Sequence, residues 1–222
     1  SGISVAGIDL NPEMVSLSKK SGADLSFERS DGELEQGILN MSNGYGADAV
    51  IITAATSSTD PINLGGKLCR SKGRVIVVGA VPTGFSREIY YKKELDLKMA
   101  TSYGPGRYNP NYEEKGMDYP IGYVRWTENR NMQAFMELLK NKSIDLSFLS
   151  THTFLLNEAM DAYNMIMEKT ELYVGILLEY DLEKKINTTF YLPTLQTPVK
   201  NNKNNEVNVG FIGAGTFAQN FL

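Results

Sequence analysis

The sequence has very few of the side chains that bind metals or form covalent cross-links. Its 222 residues include one cysteine, Cys69, and one histidine, His152. A single cysteine excludes a disulfide within the chain, and protein zinc sites need at least three ligands, usually cysteine or histidine. The sequence therefore predicts no metal-binding residue in this chain. A reducing, cytoplasmic setting is the expectation that goes with so little cysteine.

An excess of positive charge and long apolar runs are also missing. The chain has 22 Lys and Arg against 26 Asp and Glu, a formal net charge of −4. No basic surface therefore indicates nucleic acid or anionic lipid as a partner. No apolar run approaches the roughly 20 residues that a membrane-spanning helix requires, so no membrane partner is expected. The chain opens inside a predicted strand without an initiator Met, and we expect it to be a piece of a longer protein.

What the sequence does contain is an alternation of apolar strands and helices. The first strand is predicted at residues 3–9 and is followed by a helix start at Pro12, a residue that suits the first helical turn. Further strands are predicted at 24–27, 48–53, 74–79 and 95–101, with helices at 12–21, 31–42 and up to residue 69. This alternation is typical of βαβ units. We therefore predict an α/β fold, a doubly wound parallel sheet of the Rossmann type.

The second half is less regular. Residues 103–126 form a long segment rich in Gly, Pro and Tyr, and loops of this length in compact domains are usually functional or disordered. An amphipathic helix is predicted at 128–140, and we assign its stripe of apolar side chains to the protein core. A strand, a helix and a strand then complete a domain over residues 1–180. Residues 181–205 are polar and contain Pro, so we predict a linker, followed at 206–222 by the first strand and Gly-rich turn of a second Rossmann-type module.

Asp9 is the first candidate site residue. It ends the first strand, where a dinucleotide-binding fold places the acid that binds the hydroxyls of the adenosine ribose. The alternative is that Asp9 only caps the next helix. In such folds the acid lies about 20 residues after a glycine-rich turn. That spacing would place the glycines before Ser1, so we expect the domain to be truncated at its first strand.

The C-terminal tail contains a glycine-rich turn, the other part that a dinucleotide-binding βαβ unit needs. Gly213, Gly215 and Ala218 form a Gly-x-Gly-x-x-Ala turn after a strand at 206–212, and we interpret them as cofactor-binding, the alternative being an ordinary glycine-rich turn. A missing first strand would leave a slot between the strands at 3–9 and 48–53. Because unpaired strand edges recruit other strands, we expect the tail strand to fill that slot, in its own chain or by swapping in a homodimer.

Small residues follow two of the central strands, at 54–56 and 79–81. Ligands of open α/β sheets bind outside these strand ends, although tight packing would favour small residues equally. His152 and Cys69 are interpreted as structural. No catalytic residue is assigned.

Together these motifs resemble the cofactor-binding half of the medium-chain, zinc-type alcohol dehydrogenase superfamily. The resemblance covers residues 1 to about 180 and rests on the order and spacing of the segments 7–12, 22–24, 46–50, 72–79, 151–154 and 158–159. The blocks 103–108 and 119–128 and the tail segment 209–218 resemble a bacterial two-part oxidoreductase. In that group an alcohol dehydrogenase-like module precedes a glucose–fructose oxidoreductase/inositol dehydrogenase-like module.

The resemblance implies roles for particular residues. Asp9 would bind the adenosine ribose and select NAD over NADP, since a 2′-phosphate would meet a carboxylate with no adjacent arginine to compensate. Met14 stands where many relatives carry a lysine that supports the ribose. The superfamily's zinc ligands would lie upstream of Ser1, so zinc is expected only in the parent protein. The residues beside the adenosine half would be Ala55 and Thr56, and those along the nicotinamide half Gly79, Ala80, Val81, Ser102 and Tyr103.

The parent protein is therefore expected to be an NAD-dependent oxidoreductase. It would transfer hydride between nicotinamide and a carbinol or carbonyl carbon, with the dinucleotide and a small-molecule substrate as its partners, and this fragment alone would be inactive. The segment 103–126 would be a structured flap over the nicotinamide end or a docking surface for the second module, with Arg107 and Arg125 as candidate anion anchors, or else a solvated loop with packed tyrosines. The alternatives are an S-adenosylmethionine-binding methyltransferase-type domain and a non-catalytic Rossmann-like scaffold.

Overall fold

In the computed structural model of the chain, the residues described are 2–183, 185 and 215. The chain divides into two compact units between Asp145 and Leu146. This division falls inside the predicted domain of residues 1–180. The predicted linker and second module lie almost entirely outside the described residues, so those boundaries stay predictions.

The first unit alternates strands with helices, and every strand pair in it is parallel. Strand β1 pairs with β2, β3 with β4, and β4 with β5. This confirms the α/β, Rossmann-like fold predicted from the sequence. The strands are β1 (Ala6–Asp9), β2 (Leu25–Glu28), β3 (Ala47–Ile52), β4 (Cys69–Val77) and β5 (Asp96–Met99). The helices are α1 (Pro12–Lys20), α2 (Leu34–Met41), α3 (Asp60–Leu68), α4 (Arg87–Lys93), α5 (Pro110–Glu113) and α6 (Glu128–Lys140).

Helix α1 shows how local sequence sets an element's limits. Pro12 occupies the first turn, where its missing N–H costs no helical hydrogen bond. The Asn11 side chain accepts a hydrogen bond from the Glu13 backbone N–H and caps the helix. At the other end Gly22 adopts a φ of 98°, a left-handed conformation that glycine reaches without strain.

The main core lies between α3, α4 and the sheet β3–β4–β5. Ile62 of α3 and Val75 and Val77 of β4 are at most 1% exposed. Tyr90 of α4 completes this cluster, and its hydroxyl donates to the Ile62 carbonyl at 2.7 Å. The buried β4 side chains alternate with more exposed ones, which is the period of a strand with one covered face.

A second core cluster connects the two sheets of this unit. Leu34 and Ile38 of α2 pack with Leu64 and Leu68 of α3. Residues of β1, β2 and β3 pack against this cluster, namely Ala6, Ile8, Phe27, Ala47 and Val50. Helices α2 and α3 therefore cover the same side of the β1–β2 pair and of β3.

The β1–β2 pair and the β3–β4–β5 sheet are separate ladders. Among the described residues, β1 pairs only with β2, and β3 pairs on one side only. Ile51 of β3 is 63% exposed. The tail strand predicted at 206–212 lies outside the described residues, so its insertion beside β1 and β3 stays a prediction.

The second unit contains one parallel pair and one helix. Strand β6 (Ser150–Leu155) pairs with β7 (Gly175–Glu179), and α7 (Ala159–Glu168) buries Ala162 and Met165. His152 lies on β6, with Nδ1 2.9 Å from the Thr151 hydroxyl and Nε2 3.4 Å from the Glu171 carboxylate. The structural interpretation of His152 stays a prediction. No helix among the described residues has the length and apolarity needed to cross a membrane.

Helix α6 begins and ends at the predicted residues, but its assignment to the core is wrong. It buries none of its residues, and Met136 is 62% exposed. The reason lies in how the helix is held. Contacts at its first turn, from Glu128 to Pro105 and from Arg130 to Tyr119, attach it to the preceding segment. The residues of its apolar stripe are only partly covered.

Candidate functional site

The candidate site lies at the carboxyl ends of the strands of the first unit. In open parallel sheets, ligands bind outside this edge. Arg29, which follows β2, forms an ion pair with Asp60, the first residue of α3 after β3. The carboxyl ends of β2 and β3 therefore lie at one edge, although they belong to separate ladders.

Asp9 is exposed at the end of β1. Its Oδ1 accepts a hydrogen bond from the Asn11 backbone N–H at 2.9 Å. The N-cap of α1 is Asn11, so the alternative in which Asp9 serves only as that cap is wrong. The carboxylate is thus oriented by the turn into α1 and remains open to solvent, as an acceptor of ribose hydroxyls must be.

The loops after β3 and β4 are joined by backbone hydrogen bonds. The Gly79 N–H donates to the Ile52 carbonyl and the Thr56 N–H to the Ala80 carbonyl, both at 2.9 Å. A Cβ at residue 79 would lie 2.1 Å from the Ala54 carbonyl oxygen, so only glycine fits there. The tight packing suggested for these small residues is therefore present. It leaves Ala55 and Thr56 exposed at the edge, while Val81 packs against the main core.

The Arg29–Asp60 pair was not found by sequence reasoning. Arg29 donates from Nε to Asp60 Oδ2 at 2.7 Å and from Nη2 to Oδ1 at 2.6 Å, a bidentate arrangement. Both side chains are about half-exposed. The hydrogen bonds raise the pKa of Arg29 and lower the pKa of Asp60, so both groups stay charged.

Arg29 also neighbours Asp9. Asp9 lies opposite Glu28 in the β1–β2 ladder, and the Arg29 N–H donates to the Asp9 carbonyl at 2.8 Å. The Arg29 guanidinium itself pairs with Asp60, so the expectation that no arginine compensates a 2′-phosphate at Asp9 stays a prediction. Asp9 and Arg29 are 20 positions apart in sequence, and only the register of the strands brings them together.

Ser102 and Tyr103 follow β5, which is the strand next to β4, and Gly79 and Ala80 follow β4. Both are exposed, and Tyr103 has a φ of 63°. The Tyr103 carbonyl accepts a hydrogen bond from the Asn131 side chain at 3.0 Å. Among the described residues, no hydrogen bond or ion pair joins Ser102 or Tyr103 to Asp9, so their shared cofactor role stays a prediction.

The segment 103–126 is organised around a largely buried cation, Arg130. Arg130 of α6 donates to the carbonyls of Val124 at 2.5 Å and Tyr119 at 2.6 Å and forms an ion pair with Asp118 at 2.8 Å. The Arg130 side chain is only 16% exposed. The segment is therefore anchored by hydrogen bonds to α6. Most of its side chains are exposed and Tyr112 stacks on Tyr119, so its interpretation as a solvated loop with packed tyrosines stays open.

The two candidate anion anchors in this segment are already engaged. Arg107 forms an ion pair with Glu113 at 2.5 Å, and the hydrogen bond to Glu113 raises the pKa of Arg107. Arg125 stacks on Trp126, with the guanidinium carbon 4.2 Å from the ring centroid. An incoming anion would have to displace Glu113 from Arg107, so the structure gives no support to Arg107 as an anchor.

The tail residues proposed for a second cofactor turn fall largely outside the described part. Gly215 is described and exposed, whereas Gly213 and Ala218 are not described. Their role as a pyrophosphate-binding turn stays a prediction.

The described residues suit a nucleotide better than a metal ion. Asp9 and the backbone beside Ala55, Thr56 and Gly79 provide a carboxylate and close-packed small residues, which fit a nucleotide. For a metal ion, residues 2–183, 185 and 215 contain no group of three or more His, Cys, Asp or Glu side chains that could hold it. Cys69 is buried in the core, and burial raises the pKa of its thiol, so it stays protonated.

A parallel sheet flanked by helices, with a carboxylate at the end of β1 and close-packed loops after β3 and β4, defines a Rossmann-type domain. The model of the zinc-binding dehydrogenase family matches residues 1–119, more than half of the chain. The chain therefore belongs to the zinc-binding dehydrogenase family.

Two curated proteins are similar to parts of this chain. Erythritol/L-threitol dehydrogenase of Mycolicibacterium smegmatis is 31% identical over 104 residues, which are 46% of this chain and 28% of that protein. D-arabitol-phosphate dehydrogenase of Enterococcus avium is 23% identical over 175 residues, 78% of this chain and 42% of that protein. The chain thus spans less than half the length of these relatives.

Solved structures share the fold. Alcohol dehydrogenase TADH from Thermus sp. ATN1 superposes with a TM-score of 0.58 at 18% identity, over 80% of this chain and 44% of that one. A short chain alcohol dehydrogenase from E. coli CFT073, solved with NADH, has a TM-score of 0.55 at 18% identity, over 79% of this chain and 44% of that one.

Proposed function

We propose that the chain is part of an NAD-dependent alcohol dehydrogenase-like oxidoreductase and forms the adenosine side of its cofactor site. The observation that carries this proposal is Asp9, an exposed carboxylate oriented by Asn11 at the carboxyl end of β1. Bound NAD would supply the hydride acceptor for an alcohol substrate, and the protein would bind and orient it.

In this proposal Asp9 accepts hydrogen bonds from the ribose hydroxyls. Ala55 and Thr56 lie beside the adenosine, held by the Thr56–Ala80 hydrogen bond. The residues along the nicotinamide half are Gly79, Ala80, Val81, Ser102 and Tyr103. Selection of NAD over NADP follows from the carboxylate, because a 2′-phosphate would be repelled by Asp9.

For the substrate we propose a polyol or a related sugar alcohol. The support is that both curated relatives are named as dehydrogenases of polyols or polyol phosphates. None of the described residues is assigned a catalytic or zinc-binding role, so the chain alone is expected to bind nucleotide without turnover. A second module of the glucose–fructose oxidoreductase/inositol dehydrogenase type, beginning near residue 206, belongs to the same proposal.

The test is equilibrium binding of NAD, NADP and S-adenosylmethionine to the purified protein by calorimetry. Binding of NAD in preference to the other two supports the proposal. Preferential binding of S-adenosylmethionine would favour a methyltransferase-type domain instead, and binding of none of the three would favour a non-catalytic scaffold. Assays of the parent protein with NAD and a panel of polyols then test the substrate class.

A further inference from the structure

The cation nearest to Asp9 along the strand ladder is held by another carboxylate. Arg29 donates its backbone N–H to the Asp9 carbonyl, and its guanidinium is taken up by Asp60 through two hydrogen bonds of 2.6 and 2.7 Å. Neighbouring strands lie about 4.8 Å apart, so Arg29 starts one strand away from the end of β1. An arginine in this position is a ready partner for a phosphate near Asp9.

The guanidinium cannot serve two anions equally well. A bidentate pair with a carboxylate uses two N–H groups in a fixed plane, and the same fork is what makes arginine a good phosphate ligand. Asp60 is attached to the first turn of α3, so it competes for Arg29 without any loss of translational freedom. Asp9 and Glu28 add two further carboxylates at the same strand ends.

We infer that Asp60 is a specificity-determining residue, which withholds the Arg29 guanidinium from the 2′ position of the cofactor ribose. This inference rests on the proposed function, since it concerns how that same nucleotide site discriminates. NADP differs from NAD by one phosphate on the ribose 2′ oxygen. With Arg29 neutralised by Asp60, that phosphate meets only the repulsion of Asp9 and Glu28.

The inference assigns the discrimination to two carboxylates with different actions. Asp9 binds the 2′ and 3′ hydroxyls and repels a phosphate directly. Asp60 acts through Arg29 and touches no part of the cofactor. Removing the Asp60 charge therefore frees a cation for the 2′-phosphate and leaves the hydroxyl contacts of Asp9 in place.

The test measures dissociation constants of AMP and adenosine 2′,5′-bisphosphate, two probes of the adenosine side, on the wild-type protein and on Asp60→Asn. We expect the bisphosphate to bind about tenfold more tightly to Asp60→Asn than to the wild type, with AMP binding changed less than twofold. Adding Arg29→Ala to Asp60→Asn should abolish the gain. Asp60→Ser, which keeps a small polar residue in the first turn of α3, provides a second variant.

The matched control is Asp96→Asn. It removes one carboxylate from another exposed Arg–Asp pair, Arg74–Asp96, at the amino end of β5 and so at the opposite edge of the sheet. An equal gain in Asp96→Asn would show a general charge effect and overturn the inference. Unchanged bisphosphate binding in both Asp60 variants, with AMP and NAD still bound, would overturn the inference alone. If the wild-type protein binds neither NAD nor AMP, the proposed function fails and the inference fails with it.

Discussion

The Thr56 backbone N–H donates to the Ala80 carbonyl at 2.9 Å, which joins the loops after β3 and β4. This bond forms beside the point where Gly79 passes the Ala54 carbonyl too closely for any side chain. The two loops are thus one structural feature at the carboxyl edge of the sheet, and the proposed nucleotide site depends on it.

Gly79→Ala should destabilise the protein. The added methyl would lie 2.1 Å from a backbone oxygen, so the strand ends must separate. The expected loss in free energy of unfolding is about 1–3 kcal/mol, measured by urea denaturation. Gly84→Ala is the control, because the nearest atom to its added Cβ is 3.8 Å away. Equal stability of the two variants would contradict the close approach at Gly79.

Tyr90→Phe should cost about 1–2 kcal/mol at neutral pH, because it leaves the buried Ile62 carbonyl without the donor that lies 2.7 Å away. Denaturant unfolding measures this loss. Tyr91→Phe, on the exposed side of α4, should change stability far less. A loss no larger in Tyr90→Phe than in Tyr91→Phe would show that the hydroxyl makes no net contribution.

Tyr90 should also make the free energy of unfolding depend on pH. Burial raises the pKa of Tyr90 from 10 to about 12. The folded state therefore holds the phenol proton more tightly than the unfolded state. This contribution is fully present below pH 10 and is lost as the pH rises from 10 towards 12. The stability difference between wild type and Tyr90→Phe should shrink over that window, and a constant difference would contradict the raised pKa.

Arg130→Met should loosen the segment 103–126. The substitution leaves the carbonyls of Tyr119 and Val124 and the carboxylate of Asp118 without their shared donor. We expect faster amide hydrogen exchange within residues 105–128 and little change in β3 and β4. Arg125→Met serves as the control, since Arg125 only stacks on Trp126. Unchanged exchange in Arg130→Met would show that other contacts hold the segment.

Much of the fold could be predicted because its signals are local. Pro12 and Gly22 mark the start and end of α1, and the β-branched run at 75–78 marks β4. The start of β4 was not predicted. The strand begins at Cys69, five residues earlier than expected, because Cys69 pairs with Ala47 across an irregular register.

The parts that could not be predicted depend on contacts between distant residues. The Arg29–Asp60 pair joins positions 31 apart, and its closeness to Asp9 follows from strand register. The apolar pattern of α6 predicted a helix correctly but not its burial, because periodicity identifies an apolar face without identifying what packs on it.

The most direct test of the account is the NAD affinity of Asp9→Asn, measured by calorimetry on the purified protein beside the wild type and Asp96→Asn. The amide has the shape of the carboxylate but lacks the charge that strengthens its hydrogen bonds to ribose hydroxyls. We predict that NAD binds about 10- to 100-fold more weakly to Asp9→Asn and equally well to wild type and Asp96→Asn. Equal affinity in all three proteins would contradict the assignment of Asp9 as the ribose-binding residue.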